Sequence, residues 1–118
     1  MKHVISFVGY DETLVWQIVE VNPIIETLQI EVLYQDMLIH EMMLSFSEYD
    51  QFASRFRRVH EQLPGVVSFQ DNGFLFKLVY DRLGHVRIEW CVAGEPKHVL
   101  PSDQSYIGQA LALMGVYT

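Results

Sequence analysis

Histidine and cysteine side chains are the residues of this sequence best suited to bind a metal or to take part in catalysis. The chain has five histidines and one cysteine, but no His-Glu-x-x-His motif, no histidine pair four positions apart and no second cysteine. Zinc sites usually draw their ligands from such closely spaced pairs. His60, on the apolar edge of a predicted helix, and His40, on a predicted strand, are therefore expected to be packing residues. We predict no metal site and no cofactor.

Cys91 could act as a nucleophile only with a base close to its thiol. His85 shares a face of the same predicted strand, but six residues at about 3.3 Å per residue place the two side chains roughly 20 Å apart. His40 or His98 could approach Cys91 in the folded chain, yet a buried, unreactive thiol is the favoured interpretation. The sequence also has no Gly-x-Ser-x-Gly elbow, no Gly-rich phosphate loop and no dinucleotide-binding fingerprint.

Carboxylates and arginines are the remaining groups that could carry chemistry. The pairs of acidic residues are Asp11 with Glu12, Glu31 near Glu41, and Asp71 near Asp81. A glycosidase needs two carboxyl groups that flank a cleft, and nothing in the sequence selects one pair for that role. The arginines at positions 55, 57 and 58 could hold a phosphate or an acidic partner, although a solvated helix face is the favoured explanation. We predict no catalytic residue and therefore no enzyme.

Length and charge favour a single acidic domain with a protein partner. The 118 residues suffice for one domain, residues 1–118, that buries a core without disulfides. Fifteen acidic and eight basic residues give a net charge of −7, which disfavours nucleic acid or an anionic membrane as a partner and favours a basic protein. The single cysteine, and the lack of a basic-then-apolar leader or a long apolar run, predict a cytoplasmic protein.

The clearest helix is predicted at residues 47–63. The apolar face that should form the centre of the core carries Tyr49, Phe52, Ala53, Phe56, Val59, His60 and Leu63. Two capping boxes compete at its start: Ser47 with Asp50 is favoured, and Ser45 with Glu48 is the alternative. Pro64 and Gly65 predict its end.

The rest of the chain predicts strands and one C-terminal helix. Strands are expected at residues 2–8, 14–21, 27–34, 37–46, 66–71, 74–80, 85–92 and 97–100, and the helix starts near residue 101 and stops at Gly115. Asn72-Gly73 predicts a two-residue hairpin, and a loop ending at Gly84 adds a third strand to it. No internal repeat is visible. The order predicts an α+β domain with a curled, mainly antiparallel sheet of about seven to eight strands packed on a central amphipathic helix.

Residues 37–46 are apolar on both faces, so their register stays open. A two-residue loop at Gln35-Asp36 would give the core face Met37, Ile39, Glu41 and Met43. A three-residue loop would instead give it Leu38, His40, Met42, Leu44 and Phe46.

Several of these turn and core residues resemble those of a known family. A Ser-capped helix with Phe52 and Phe56 facing inward is followed by Leu-Pro-Gly, a hairpin, a strand that begins Gly-His-Val-Arg-Ile at Gly84, and a closing helix that begins Asp-Gln-Ser at Asp103. From Leu28 onwards, this arrangement resembles small bacterial proteins related to the WapI-type immunity proteins. The resemblance implies a protein that binds and neutralises the C-terminal toxin domain of a polymorphic or contact-dependent toxin in the cytoplasm. It implies no catalytic residues.

Acidic residues of the N-terminal half are the candidate partner-binding surface. A nuclease toxin is usually basic because it binds a polyanion, so an acidic inhibitor gains association rate and specificity from the opposite charge. The acidic candidates are Asp11, Glu12, Glu20, Glu26, Glu31 and Asp36, and the candidate aromatic anchors are Tyr10, Trp16 and Tyr34. The alternatives are a structural or homo-oligomeric domain, for example a homodimer, and a small hydrolase or ligand-binding domain.

Overall fold

The computed structural model describes residues 3–115, which form eight strands and two helices. The strands are β1 (His3–Val8), β2 (Thr13–Asn22), β3 (Thr27–Tyr34), β4 (Met37–Ser45), β5 (Gly65–Asp71), β6 (Phe74–Tyr80), β7 (His85–Val92) and β8 (His98–Asp103), and the helices are α1 (Phe46–Glu61) and α2 (Gln104–Met114). The first predicted strand also included Lys2, which lies outside the described residues. The predicted order of elements is confirmed.

Each half of the chain is an antiparallel four-stranded meander followed by a helix. Strands β1 to β4 form the first sheet in that order, and strands β5 to β8 form the second sheet. The α+β class, the antiparallel strands, the central helix and the C-terminal helix are confirmed, with the strands divided between two sheets. The ββββα unit therefore occurs twice, although no repeat is visible in the sequence.

The two helices pack on the opposite half of the chain. Helix α1 follows β4 but packs against β5, and helix α2 follows β8 but packs against β1. Helix α1 also reaches the sheet of its own half, since Phe52 packs on Trp16 and Phe56 on Phe7, so the two halves share one core. Neither helix of residues 3–115 is both long and apolar enough to cross a membrane.

Helix α1 starts directly after Ser45, which is its N-cap. The Ser45 hydroxyl accepts a hydrogen bond from the Glu48 N–H, and the Glu48 carboxylate accepts one from the Ser45 N–H, both at 3.0 Å. The two bonds form a capping box. The preference for Ser47 as the cap is therefore wrong, and the alternative is confirmed. The apolar alternation of β4 ends one residue earlier than predicted, because Phe46 is already helical.

The register of β4 combines parts of both predicted alternatives. Residues 35 and 36 form a two-residue turn in which both have positive φ. A bulge at Ile39 then shifts the pairing with β3 by one residue. Because a one-residue shift moves side chains to the opposite face, Met42 is buried while Glu41 and Met43 face outward.

The second sheet has the predicted pairing. Phe76 of β6 pairs with Phe69 on one side and with Trp90 on the other, and all three side chains are buried. Gly84 has a φ of 86°, which the predicted loop requires of it. Strand β8 is longer than predicted and continues to Asp103, which caps α2.

Trp16 lies at the centre of the core. Its side chain is fully buried, and its ring centroid lies between 5.1 and 5.7 Å from those of Phe7, Phe52, Phe69 and Phe76. The alternation of β2 puts Trp16 on the same face as the other buried side chains of that strand. Trp16 is therefore a core residue and cannot be an exposed anchor for a partner, which corrects the prediction.

Candidate protein-binding surface

The outer face of the first sheet is the candidate binding surface, and the strand register defines it row by row. The first row is Ser6, Val15, Leu33 and Leu38, the second row is Val4, Gln17, Glu31 and Glu41, and the third row is Glu20, Gln29 and Met43. We call these residues the outer face. Their side chains are partly or largely exposed, whereas the alternate residues of the same strands point into the core.

Two carboxylates lie side by side in the middle of the outer face. Glu31 and Glu41 are direct cross-strand partners. The Gln17 side-chain amide donates a hydrogen bond of 3.2 Å to Glu31 but brings no charge. Neither carboxylate belongs to an ion pair within residues 3–115. Since like charges directly opposite each other destabilise an antiparallel pair, we expect Glu31 and Glu41 to lower the stability of the free protein, and a cation from a partner would relieve their repulsion.

Apolar side chains surround this acidic pair. Leu38 is 48% exposed and Met43 is 60% exposed. Val15 and Leu33 line a shallow depression that Asp36 borders, and Met43 lines a second one. A surface of this kind can bury apolar area against another protein while its carboxylates pair with lysine or arginine.

Tyr34 and Glu12, two of the predicted partner-binding residues, connect parts of the molecule to each other. The Tyr34 hydroxyl donates a hydrogen bond to the Glu12 carboxylate, and this bond is the main cause that raises the pKa of Tyr34. The Tyr34 ring lies 4.8 Å from Trp90 and 5.4 Å from His98, both of the second sheet. Tyr34 therefore holds the two sheets together and lies outside the outer face.

Tyr10, Asp11 and Asp36 are exposed positions in two turns at one end of the first sheet. The Tyr10 hydroxyl lies 3.3 Å from the Asp103 carboxylate, and its ring packs edge-on against Tyr106, so Tyr10 contacts the start of α2. Of the predicted partner-binding residues, Glu20 and Glu31 belong to the outer face, Asp36 borders it, and Glu26 lies in the turn between β2 and β3. The structure does not bring the predicted set together as one surface.

His40 and His60 contact protein groups, as expected for packing residues. His40 Nε2 lies 2.7 Å from the Asp71 carboxylate, and His60 Nδ1 lies 2.7 Å from the Tyr80 hydroxyl. Burial lowers the pKa of His60. Within residues 3–115, no group of three or more histidine, cysteine or acidic side chains is arranged to hold a metal ion.

Cys91 is partly exposed, whereas a buried thiol was expected. Its Sγ lies 3.7 Å from the Glu95 carbonyl oxygen. The charged residues that line the same small cavity are Lys77, Glu89 and Lys97. Burial alone would raise the pKa of Glu89, but its contacts with Arg87 and Lys97 hold that pKa below its ordinary value. The charged groups beside the thiol are thus mainly paired with one another.

Part of the outer face was missed at the level of sequence. The alternation of β3 assigned Leu28, Ile30 and Val32 to the core, and the same alternation places Leu33 beside Glu31 on the opposite face. Pairing with β2 and β4 then adds the apolar neighbours of these two residues. The sequence therefore already indicated that Glu31 and Leu33 of β3 face outward. Which residues of β4 face outward depends on the bulge, which the sequence did not indicate.

Comparisons with known proteins bear on the fold. Searches against protein-family models and against curated proteins gave no match. The chain is similar in structure to a protein in the crystal structures of Trypanosoma brucei MRP1/MRP2, with a TM-score of 0.50 and 8% sequence identity, over 98% of this chain and 78% of that chain. At this level of identity, the similarity shows a shared fold and carries no statement about function.

Proposed function

We propose that this protein is an immunity-type inhibitor that binds a basic toxin domain through the outer face of its first sheet. The observation that carries the proposal is the Glu31–Glu41 pair, two carboxylates that have no ion pair within residues 3–115 and lie opposite each other in an exposed sheet face with apolar neighbours. A lysine or arginine placed between them would remove a repulsion and gain two attractive contacts. Relief of the repulsion between Glu31 and Glu41 would therefore contribute to the free energy of binding.

The charge of the whole chain supports a basic partner. A net charge of −7 attracts a basic protein over distances of about a Debye length, roughly 8 Å at physiological ionic strength. The carboxylates would speed association and select the partner. The apolar side chains of Val15, Leu33, Leu38 and Met43 would supply contact area that slows dissociation. Inhibition would follow from coverage of the toxin's own binding surface and requires no catalytic group.

The resemblance to WapI-type immunity proteins supports the class of partner. It implies that the partner is the C-terminal domain of a polymorphic or contact-dependent toxin, and that the two proteins meet in the cytoplasm. A nuclease toxin suits the charge of the outer face best, because such an enzyme carries a basic surface for its polyanionic substrate.

Affinity capture with matched charge variants tests the proposal. The wild-type protein, the double variant Glu31→Lys/Glu41→Lys and a control double variant at two exposed positions, Glu61→Lys/Glu95→Lys, would each be immobilised and exposed at moderate salt to lysate of the native bacterium. The control has the same net charge but leaves the outer face intact. We expect the wild type and the control to retain one basic protein at near one-to-one ratio, and the outer-face variant to lose it.

The captured protein must also be a toxin that this chain neutralises. Its expression alone should arrest growth, and co-expression with the wild type should restore growth, whereas co-expression with Glu31→Lys/Glu41→Lys should not. Equal capture by all three immobilised proteins would refute the outer face as the binding surface. A captured protein whose expression has no effect on growth would refute the immunity role.

A further inference from the structure

Strand β5 is the accessible edge of the second sheet, whereas the opposite edge, β8, is closed. On β8, Pro101 has no N–H to offer, its carbonyl oxygen accepts a hydrogen bond from the Tyr10 N–H, and the Ser102 hydroxyl donates to the Val8 carbonyl oxygen. The loop between β1 and β2 thus covers β8. Strand β5 contains no proline and no lysine, the residues that commonly protect an edge.

The hairpin geometry determines which backbone groups of β5 point outward. In a two-residue hairpin, the residues that flank the turn form a hydrogen-bonded pair, here Asp71 with Phe74, and the pairs then alternate along the strands. The N–H and C=O groups of Val66, Ser68 and Gln70 therefore point away from β6. The Arg55 guanidinium reaches the Ser68 carbonyl oxygen at 3.4 Å, which agrees with this direction.

A groove of about 630 Å³ runs along this edge, between β5 and one face of α1. The residues of α1 that line the groove are Glu48, Gln51, Arg55, Arg58 and Val59. Val59 contacts the start of β5 at Gly65, and Arg55 contacts its middle at Ser68, so the helix and the strand run in opposite directions.

The order of charges along the groove becomes clear when the positions on α1 and β5 are aligned. Ser68 lies about 10 Å along the strand from Gly65, at 3.3 Å per residue. At 1.5 Å per residue, the helix position about 10 Å before Val59 is close to Phe52, so Phe52 lies beside Ser68. Glu48 therefore lies about 6 Å to one side of Ser68, and Arg55 and Arg58 lie about 4 to 9 Å to the other side.

We propose that this edge pairs with β5 of a second copy of the chain, around a two-fold axis at Ser68. The outward groups of Ser68 would meet their own counterparts, and those of Val66 would meet Gln70 of the second copy, which gives about six new backbone hydrogen bonds. The same axis places Glu48 of one copy level with Arg55 and Arg58 of the other. The acidic end of the groove in one copy would thus face the basic end of the groove in the other copy.

The pairing requires little rearrangement within each copy. Arg55 is exposed and holds Ser68 by one long hydrogen bond, so it can turn towards the second copy at small cost. The bond from the Ser45 N–H goes to Glu48 Oε1, which leaves Oε2 for an arginine. Val66, 55% exposed in the monomer, would gain apolar contacts. The overall charge of −7 opposes self-association, so the dimer should form at moderate rather than very low concentration.

Sedimentation velocity of the purified protein over a range of concentrations tests the proposal. We expect wild type to show a monomer–dimer equilibrium. Arg58→Glu should weaken the dimer by about tenfold or more, because both symmetric contacts change from attraction to repulsion. Arg57→Glu is the matched control, since residue 57 has the same charge but does not line the groove, and it should not change the equilibrium.

Two further variants identify the contacts. The double variant Glu48→Arg/Arg58→Glu exchanges the charges and should recover dimer that Arg58→Glu loses; because Glu48→Arg also removes one bond of the capping box, circular dichroism checks that α1 is intact. Ser68→Pro removes the outward N–H at the axis and should abolish the dimer, while circular dichroism checks that it folds; if it does not fold, the charge variants decide alone. A protein that stays monomeric at every concentration, or a dimer that none of these variants weakens, would overturn the proposal. These experiments use no partner and do not alter the outer face, so their failure leaves the proposed function untouched.

Discussion

The substitution Glu41→Lys is expected to make the free protein more stable. Glu41 is exposed and lies directly opposite Glu31, and neither carboxylate has an ion pair within residues 3–115. Lysine and glutamate have similar, low strand propensities, so the backbone preference of β4 should change little. The change therefore acts mainly on the electrostatic interaction with Glu31.

The expected gain follows from the register. Opposed residues have Cβ atoms about 4.5 to 5.5 Å apart, so two carboxylates about 6 Å apart repel each other by about 0.7 kcal/mol in pure water. Screening over a Debye length of about 8 Å reduces this repulsion to about 0.3 kcal/mol at physiological salt. A lysine replaces the repulsion by an attraction of similar size. We expect a gain of about 0.6 kcal/mol at physiological salt and about 1 kcal/mol at low salt.

Urea denaturation at low and at high salt measures the gain as a change in the free energy of unfolding. Glu41→Gln, which only removes the repulsion, should give about half of it. Glu95→Lys changes the net charge from −7 to −5 just as Glu41→Lys does, but Glu95 lies in the exposed turn after β7, so it controls for general charge relief. If Glu41→Lys is no more stable than Glu95→Lys, or if its gain does not shrink with salt, the assigned repulsion is wrong.

Three further substitutions test the fold by urea denaturation. Ser45→Ala should lower the free energy of unfolding by about 1 kcal/mol through loss of the capping box, whereas Ser47→Ala should change it little; equal effects would contradict the assigned cap. Burial lowers the pKa of His60 below its ordinary value of 6.5, so the unfolded chain binds that proton more tightly than the folded chain does. The free energy of unfolding should therefore fall as the pH drops through and below about 6.5, and it should fall less steeply in His60→Gln. An unchanged slope would contradict that role. Gly84→Ala, at a φ of 86°, should cost about 1 to 2 kcal/mol, while Gly115→Ala, at −76°, should not.

The second sheet could be predicted from sequence because its signals are local and agree with one another. Asn72-Gly73 determines the turn, the turn determines the register, and the register places Phe69 opposite Phe76 on the apolar face. A shift by one residue would have exposed these rings. Turn chemistry and hydrophobic alternation thus select the same pairing.

The first sheet was harder to predict because β4 contains a bulge. Its residues are apolar on both faces, so alternation alone gives no direction. The turn at residues 35 and 36 sets one register, and the unpaired Ile39 replaces it with another a few residues later. The position of the bulge depends on which side chains the core accepts, and that information lies in the second sheet and α1, far away in sequence.

The candidate surface was only partly predictable for a related reason. Charge clustering along the sequence selected Glu31 correctly as an outward residue, but it grouped this residue with Glu12 and Tyr10, which the fold directs elsewhere. Aromatic type alone could not separate an exposed Tyr10 from a buried Trp16. Strand register separates them, and register requires long-range pairing.

The exchange of helices between the two halves has a consequence for the way the chain folds during synthesis. His3 Nε2 lies 2.7 Å from the Leu113 carbonyl oxygen, a contact between residues 110 positions apart. Hairpins of the first sheet can form early, and Phe56 of α1 and Phe76 of β6 can then cover Phe7, but the packing of β1 stays incomplete until the ribosome has also delivered α2. Contacts between residues so far apart in sequence form late and leave apolar strands open to aggregation in the meantime. Nascent chains stalled before α2 should therefore bind chaperones, and release of α2 should end that dependence.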